Sequence, residues 1–264
     1  MGDVDLFYQR VGPARRPSLI LIMGWGGDHS AWAFQLPAFA EEFDVIALDN
    51  RGAGQSDAPD TRYTIAGMAD DVVGLMDELG VRAAHICGAS MGGMIAQELA
   101  LRHPDRVLTL QLHCTTSSVD SYGRLVIDNF LRVKSRGDVD EFTRFSLPWL
   151  LSRKTVAERP DFVEAWLLRA REYPFAATLT GLSRQGEAIR GHNTRERLTS
   201  LNVPTLITTG TEDILVPPSA SDELRALIPG SELARIADTG HMHFMEQAPA
   251  FNDACLNFLR TRQS

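Results

Sequence analysis

Residues 83–102 read AAHICGASMGGMIAQELALR, and this stretch decides the fold. It opens with an apolar run typical of a buried strand and closes with a helical pattern from Met91 to Arg102. Between them, Gly88-Ala89-Ser90-Met91-Gly92 fits the pattern G-x-S-x-G. In that pattern a sharp strand-to-helix turn pushes the serine hydroxyl into the open, and the two glycines leave room for it. The stretch therefore predicts a strand, a tight turn that exposes Ser90, and a helix.

The same alternation of short apolar runs and longer helical patterns extends through most of the chain. It predicts a parallel sheet covered by helices, because parallel strands buried on both faces appear as continuous apolar runs. The predicted strands are Leu6–Val11, Leu19–Met23, Val45–Leu48, His85–Ala89, Val107–Leu112, Thr205–Thr209 and Leu233–Ile236. The predicted helices lie around Ala31–Glu42, Ile65–Leu79, Met91–Arg102, Ser219–Leu227 and Ala250–Arg260.

The alternation stops between residues 117 and 193, where apolar residues recur only at helical spacing. We predict that residues 1–116 and 194–264 form one α/β core and that residues 117–193 form an inserted helical cap. Because the insertion joins two parallel strands, it is expected to lie over the carboxyl edge of the sheet, above Ser90.

Two further residues complete a candidate for nucleophilic catalysis. A serine hydroxyl is a poor nucleophile at neutral pH and needs a histidine base oriented by an acid. Asp213 and His241 each follow a predicted strand, so both are expected at the sheet edge where sites form in open α/β sheets. Asp120, after the strand that precedes the cap, is a rival acid, and we favour Asp213. His85, His103 and His113 lie within or beside core elements and are predicted to be structural.

With these residues in the order Ser90, Asp213, His241, the chain resembles the α/β-hydrolase superfamily from Leu6 to Arg260. The segment Asp49–Ser56, DNRGAGQS, is similar to the family's D-x-R-G-x-G-x-S turn, which we interpret as architecture. The ending, with Gly240-His241 followed by Glu246-Gln247 and Pro249, is similar to esterases and enol-lactone hydrolases of the superfamily.

The resemblance implies an α/β-hydrolase fold, with a mostly parallel central sheet flanked by helices and an inserted helical cap. It also implies an oxyanion hole made by the backbone N–H groups of Trp25 and Met91. Here the chain departs from the family, because Met23 stands where a histidine commonly precedes the glycine of the oxyanion loop.

The implied activity is hydrolysis of a carboxylic ester or lactone of a small, largely apolar or aromatic substrate through an acyl-serine intermediate. Trp149, Met242 and His29 are candidate pocket residues. Three alternatives stay open: a carbon-carbon hydrolase of ring-fission products, an acyltransferase, and a non-catalytic small-molecule binder. The carbon-carbon hydrolases often carry tryptophan directly after the catalytic histidine, where this chain has Met242.

Composition excludes several other classes of function. A net charge of -8 and a pI near 5.4 argue against a nucleic-acid partner. The apolar run Leu19–Met23 is far too short to span a membrane, and the acidic start MGDVDLFYQR does not fit a signal peptide. Three widely spaced cysteines suggest neither a disulfide framework nor a zinc site, which favours a cytoplasmic protein.

No cofactor is expected, and neither is a metal, because the His241-x-His243 pair lacks a third ligand at suitable spacing. The expected partner is a small-molecule ester or lactone. The sequence leaves the oligomeric state open.

Overall fold

All seven apolar runs become strands of one sheet in the computed structural model, which describes residues 4–262. The strands are β1 (Tyr8–Val11), β2 (Ser18–Ile22), β3 (Asp44–Leu48), β4 (Ala84–Ala89), β5 (Val107–His113), β6 (Thr205–Gly210) and β7 (Glu232–Ile236). Their order is β1-β3-β2-β4-β5-β6-β7, with β1 antiparallel to β3 and every other pair parallel. The predicted mostly parallel sheet is confirmed.

The central strands are apolar on both faces because helices cover both. Every residue of β3, β4 and β6 is buried. The helices of the core are α1 (Leu36–Ala40), α2 (Ile65–Glu78), α3 (Met91–Arg102), α9 (Pro218–Leu227), α10 (His243–Glu246) and α11 (Ala248–Arg260). The buried residues of α2 and α3 pack on one face of the sheet, and those of α1 and α11 pack on the other.

One predicted helix is wrong. The pattern from Ala31 to Glu42 predicts a continuous helix, but the structure has a 3₁₀ turn at His29–Trp32 and then the short helix α1. Pro37 gives the reason, since a proline inside a helix lacks the N–H donor and its ring clashes with the carbonyl four residues earlier. The chain instead begins a new helix with Pro37 in its first turn, where no N–H is needed.

Five helices separate β5 from β6: α4 (Ser121–Lys134), α5 (Val139–Leu150), α6 (Arg153–Glu158), α7 (Pro160–Glu172) and α8 (Leu179–Arg190). An antiparallel bridge between Ser118 and Asn193 joins the two ends of this segment. We propose residues 117–193 as the cap and the remainder as the core. The outermost residues of that core, 1–3 and 263–264, lie outside the described part of the chain.

Within residues 4–262, no helix combines the length and the apolar character that crossing a membrane requires.

Candidate active site

Ser90 sits in a strained turn between β4 and α3. Its backbone has φ 56° and ψ −119°, a conformation that non-glycine residues rarely adopt. The Ser90 N–H donates to the carbonyl of His113 at 2.8 Å, which fixes the turn to β5. The side chain is partly exposed at the carboxyl end of the sheet.

The glycines on either side of Ser90 are required by close backbone approach. A Cβ on Gly88 would lie 2.2 Å from the carbonyl oxygen of Gly92, and a Cβ on Gly92 would lie 2.0 Å from the carbonyl oxygen of Ile22. Both distances are far below van der Waals contact. The G-x-S-x-G pattern therefore has a steric cause here: α3 must start against β2 and β4 for the serine to be presented.

His241 and Asp213 are hydrogen-bonded to each other in the loops after β7 and β6. The distance from His241 Nδ1 to Asp213 Oδ2 is 2.8 Å, and both side chains are almost completely buried. The other carboxylate oxygen of Asp213 accepts the backbone N–H groups of Leu215 and Val216, each at 2.9 Å. These two bonds hold the carboxylate in one orientation, with one oxygen aimed at the imidazole. Among the described residues, the other ring nitrogen, Nε2, has no hydrogen-bond partner.

Asp120 has a different role in the structure. It is exposed, and its carboxylate accepts the Gly123 N–H at 2.8 Å as the N-cap of α4. Such a bond satisfies one of the free N–H groups at the start of a helix. The geometry thus distinguishes the two candidate acids, because the His241 hydrogen bond goes to Asp213.

The loop after β2 passes directly over Ser90. A Cβ on Gly24 would lie 2.8 Å from the Cβ of Ser90 and 3.4 Å from its hydroxyl oxygen. Trp25 follows, and Met91 opens α3 on the other side of the serine. Among residues 4–262, neither the Trp25 N–H nor the Met91 N–H has a protein acceptor. Both unpaired donors lie on segments that adjoin Ser90.

The backbone at Met23 is held by a neighbouring residue that the sequence analysis did not single out. The side-chain amide of Asn50 donates to the Met23 carbonyl at 2.7 Å, in the buried interior. Asn50 belongs to the D-x-R-G-x-G-x-S turn, in which it is one of the variable positions. Its contact links this turn to the loop after β2.

Asp49 organises the rest of that turn. Its carboxylate accepts the backbone N–H groups of His29 at 2.7 Å and Gln55 at 2.9 Å. A Cβ on Gly54, where φ is +55°, would lie 2.1 Å from Asp49 Oδ2. The predicted architectural role of the turn agrees with these contacts.

His29 is engaged by the same carboxylate. Its Nδ1 lies 2.7 Å from Asp49 Oδ1, and its ring packs against Phe7 with centroids 4.9 Å apart. Asp28, His29 and Asp49 are the described side chains whose ligand atoms, all within 4.8 Å, could hold a metal ion. Asp28 Oδ1 accepts the N–H of Ser30 at 2.9 Å. Hydrogen bonds within the protein therefore explain why these three side chains lie together.

Glu246 fixes the loop that carries His241. It is buried, and its two oxygens accept the N–H groups of Gly240 at 2.7 Å and Ser152 at 2.9 Å. The N–H of Met242 donates to the carbonyl of Leu150 at 2.9 Å. The sequence showed Glu246 only as part of a family ending. A glutamate directly after the apolar pair Phe244-Met245 is the signal that could have pointed to this role.

Aromatic side chains extend from the loop after β2 into the proposed cap. The ring of Trp25 lies 5.7 Å from that of Phe130, which in turn lies 5.0 Å from Phe145 and 6.2 Å from Trp149. Trp149 is half-buried and directly precedes Leu150, whose carbonyl binds the N–H of Met242. The predicted pocket residues Trp149 and Met242 therefore lie on segments that meet beside His241.

The other histidines of the core are removed from the surface. His85 and His113 are buried and pair with the hydroxyl groups of Thr109 and Thr208, at 2.9 and 2.7 Å. His243 Nε2 also lies 2.7 Å from the Thr208 hydroxyl. Burial lowers the pKa of His85 and of His243 to about 4, so both are neutral at physiological pH.

His103 differs from these three histidines, because it is partly exposed and its Nε2 lies 3.0 Å from Oδ1 of Asp70.

Comparisons with known proteins all identify the same family. The profile of the α/β-hydrolase fold family matches residues 17–248, which is most of the chain. A curated relative, the putative carbamate hydrolase RutD of Caulobacter vibrioides, is 30% identical, and the match covers 98% of this chain and 97% of the relative.

Two solved structures are similar over almost their whole length. The enol-lactonase from Burkholderia xenovorans LB400 has a TM-score of 0.89 at 29% identity and covers 97% of each chain. A thermophilic esterase from Thermogutta terrifontis has a TM-score of 0.88 at 26% identity, covering 99% of this chain and 95% of the esterase. All three similar proteins carry the name of a hydrolase, a lactonase or an esterase.

Proposed function

The chain belongs to the α/β-hydrolase fold family, and from that premise we propose that it is a serine hydrolase in which Ser90, His241 and Asp213 form the catalytic triad. The observation that carries the proposal is the 2.8 Å bond between His241 and an Asp213 carboxylate fixed by two backbone donors. A buried aspartate in that position selects the histidine tautomer whose Nε2 can accept a proton, and it stabilises the imidazolium that forms.

The first half-reaction transfers the acyl group to the enzyme. Ser90 Oγ attacks the substrate carbonyl carbon as its proton moves to His241 Nε2, and the carbonyl oxygen becomes an oxyanion. The N–H groups of Trp25 and Met91 stabilise that charge. The tetrahedral intermediate collapses, the bond to the leaving oxygen breaks, and the alcohol leaves with the proton from His241.

The second half-reaction regenerates the enzyme. Water attacks the acyl-serine carbonyl carbon as His241 takes one of its protons, and the same two N–H groups stabilise the second oxyanion. Collapse breaks the bond to Ser90 Oγ, which recovers its proton from His241. The carboxylic acid is the second product.

The substrate class that we propose is a carboxylic ester or lactone with a medium-sized apolar or aromatic part. The support is the row of rings that runs from Trp25, next to the Gly24 that lies against Ser90, through Phe130 to Trp149. The structural similarity to an enol-lactonase and an esterase supports the same class.

A carbamate is the second candidate substrate. The RutD relatives, named as putative carbamate hydrolases, match nearly the full length of this chain at 30–32% identity. The carbonyl carbon of a carbamate passes through the same tetrahedral geometry, so the proposed triad would serve either substrate. The nitrogen donates electron density to that carbon, which makes attack slower for an equal leaving group.

Ser90→Ala tests the proposal. The smaller side chain fits the turn, so we expect a folded protein that has lost about 10⁴- to 10⁶-fold in kcat. A serine-directed phosphonate should add one mass equivalent to the wild type and none to the variant. Activity above one tenth of wild type in Ser90→Ala would refute the triad.

A matched substrate panel tests the substrate class. An aryl ester, the carbamate of the same phenol and an aryl lactone should be compared by kcat/KM, with and without an added alcohol. We expect the ester or lactone to be hydrolysed fastest. A carbamate preference would select the second candidate, transfer to the alcohol would indicate an acyltransferase, and a ligand-induced rise in Tm without turnover would indicate a binder.

A further inference from the structure

We infer that Gln185, in helix α8 of the proposed cap, is a positioning residue for the oxyanion hole. The inference rests on the proposed function, because it assigns a role in holding the Trp25 N–H. It also answers how the oxyanion loop is held in a chain that has Met23 in place of the family's histidine.

Both ends of the Gln185 amide are used. Its Oε1 accepts the Gly26 N–H at 2.8 Å, and its Nε2 donates to the carbonyl of Arg51 at 2.8 Å. The residue is completely buried. A buried amide with both ends satisfied has one favourable orientation, because rotating it would leave two polar groups without partners. Gln185 therefore ties the oxyanion loop and the turn after β3 to the same point of α8.

The loop segment that Gln185 contacts is a tight turn. The Gly27 N–H donates to the Gly24 carbonyl at 3.2 Å, and Gly26 has φ +68°. A positive φ at the third residue of the turn Gly24–Gly27 is typical of a type II turn. Type I and type II turns differ in the orientation of the central peptide, which is flipped between them. That central peptide carries the Gly26 N–H, so the bond to Gln185 selects its orientation.

The Trp25 side chain is tied to the same helix. Its indole Nε1 donates to the Leu182 carbonyl at 2.8 Å. A Cβ on Gly186 would lie 3.4 Å from the Trp25 ring, and a Cβ on Gly26 would lie 2.6 Å from Leu182. The residue that supplies the proposed oxyanion donor is thus held by α8 through its side chain and through the peptide that follows it.

The helix itself is seated on the core by backbone contact. A Cβ on Gly181 would lie 2.0 Å from the carbonyl oxygen of Gly52. Contact this close requires glycine at position 181, and it places α8 directly against the turn after β3. An oxyanion hole depends on donors that are oriented before the charge develops, and a small displacement of one donor weakens it.

The test is Gln185→Met, which keeps the length of the side chain and removes both hydrogen bonds. We expect kcat to fall about 10- to 100-fold, less than complete loss of a donor, while KM changes by less than about threefold. The matched control is Gln97→Met. Gln97 is equally buried and makes two hydrogen bonds, to Thr194 and Thr116, beside the bridge that closes the proposed cap. This control should lower Tm and leave kcat per active site within twofold.

An aryl trifluoromethyl ketone separates positioning from stability. Ser90 Oγ adds to its carbonyl carbon, the proton passes to His241, and the resulting oxyanion occupies the hole. Its Ki should weaken by the same factor as kcat/KM in Gln185→Met and stay within twofold in Gln97→Met. Active-site titration with the phosphonate corrects for unfolded protein. Trp25→Phe, which removes the indole donor to Leu182 together with one ring of the side chain, should lower kcat about 3- to 10-fold.

The inference is overturned if Gln185→Met keeps kcat and Ki within twofold of wild type while Ser90→Ala is inactive. It is also overturned if Gln97→Met loses kcat and Ki to the same extent, since generic docking of the cap would then explain both. If Gln185→Met fails to fold, unchanged kcat and Ki in Trp25→Phe overturn it. Retained activity in Ser90→Ala would instead refute the triad itself.

Discussion

Replacing Asp213 by asparagine is the sharpest single change to the proposed triad. Asparagine keeps the oxygen that accepts the N–H groups of Leu215 and Val216, so the loop after β6 should retain its conformation. The other oxygen, 2.8 Å from His241 Nδ1, becomes an NH₂ group. The side chain is nearly isosteric and fully buried, so the substitution alters hydrogen-bond direction and charge and leaves the shape almost unchanged.

The expected loss follows from the tautomer of His241. A carboxylate accepts the Nδ1 proton and leaves Nε2 free to take the proton of Ser90. An amide donates to Nδ1, which places the ring proton on Nε2 and removes the base. It also removes the negative charge that stabilises the imidazolium. In a comparable triad the same change lowers kcat by about 10⁴-fold, which is about 5.5 kcal/mol of transition-state stabilisation.

The assay compares Asp213→Asn with Asp120→Asn. Asp120 accepts the Gly123 N–H as an N-cap, and asparagine caps a helix about as well as aspartate. We expect Asp120→Asn to keep kcat within about twofold on an activated aryl ester, with Tm unchanged in both variants. Reversed phenotypes, or activity above one tenth of wild type in Asp213→Asn, would refute the assignment of the acid.

Three further predictions concern the pocket, the core and the turn. Trp149→Ala should flatten the dependence of kcat/KM on acyl length, because each methylene buried against Trp149 contributes about 0.8 kcal/mol, or about fourfold in kcat/KM. An unchanged dependence would show that Trp149 does not line the pocket. The pKa of His85 is about 4 in the folded state and 6.5 in the unfolded state. As pH falls from about 7 to 4, the unfolded state takes up the proton first, so the free energy of unfolding decreases over that range. The free energy of unfolding should fall by up to about 2 kcal/mol at pH 5 relative to pH 7 from this group, and His85→Gln should show a shallower pH dependence in urea titrations; equal slopes would contradict it. Gly92→Ala, with its Cβ 2.0 Å from the carbonyl oxygen of Ile22, should lose about 3 kcal/mol or more and about 10 °C of Tm; a Tm within 2 °C would show that the turn relaxes.

Local patterns determined the sheet. Continuous apolar runs predicted the buried inner strands, because a strand covered by helices on both faces has no solvent-facing side to alternate with, whereas the edge strands β1 and β7 carry exposed residues. The Met91–Arg102 pattern predicted α3 to the residue. The helix predicted over Ala31–Glu42 was wrong, although its apolar spacing suits a helix. Pro37 has no backbone N–H to donate, so a continuous helix cannot pass through it.

The candidate triad also came from the sequence, since residues that follow parallel strands must meet at one edge of the sheet. Strand position admits both Asp213 and Asp120, because both follow strands at that edge, and the sequence analysis favoured Asp213. The structure orients the Asp213 carboxylate toward His241 and makes Asp120 a helix cap.

The supports of the site were decided by tertiary structure alone. Gln185 lies 159 residues from the Gly26 N–H that it accepts, and Glu246 lies 94 residues from Ser152. No local pattern encodes such contacts, because any exposed or buried glutamine has the same sequence signature on an amphipathic helix. They exist because folding brings segments of the proposed cap against the loops that carry Trp25 and His241, where buried N–H groups must find acceptors. The sequence by itself determined which chemistry this edge of the sheet can hold, and only the packing of distant segments decided how that chemistry is oriented.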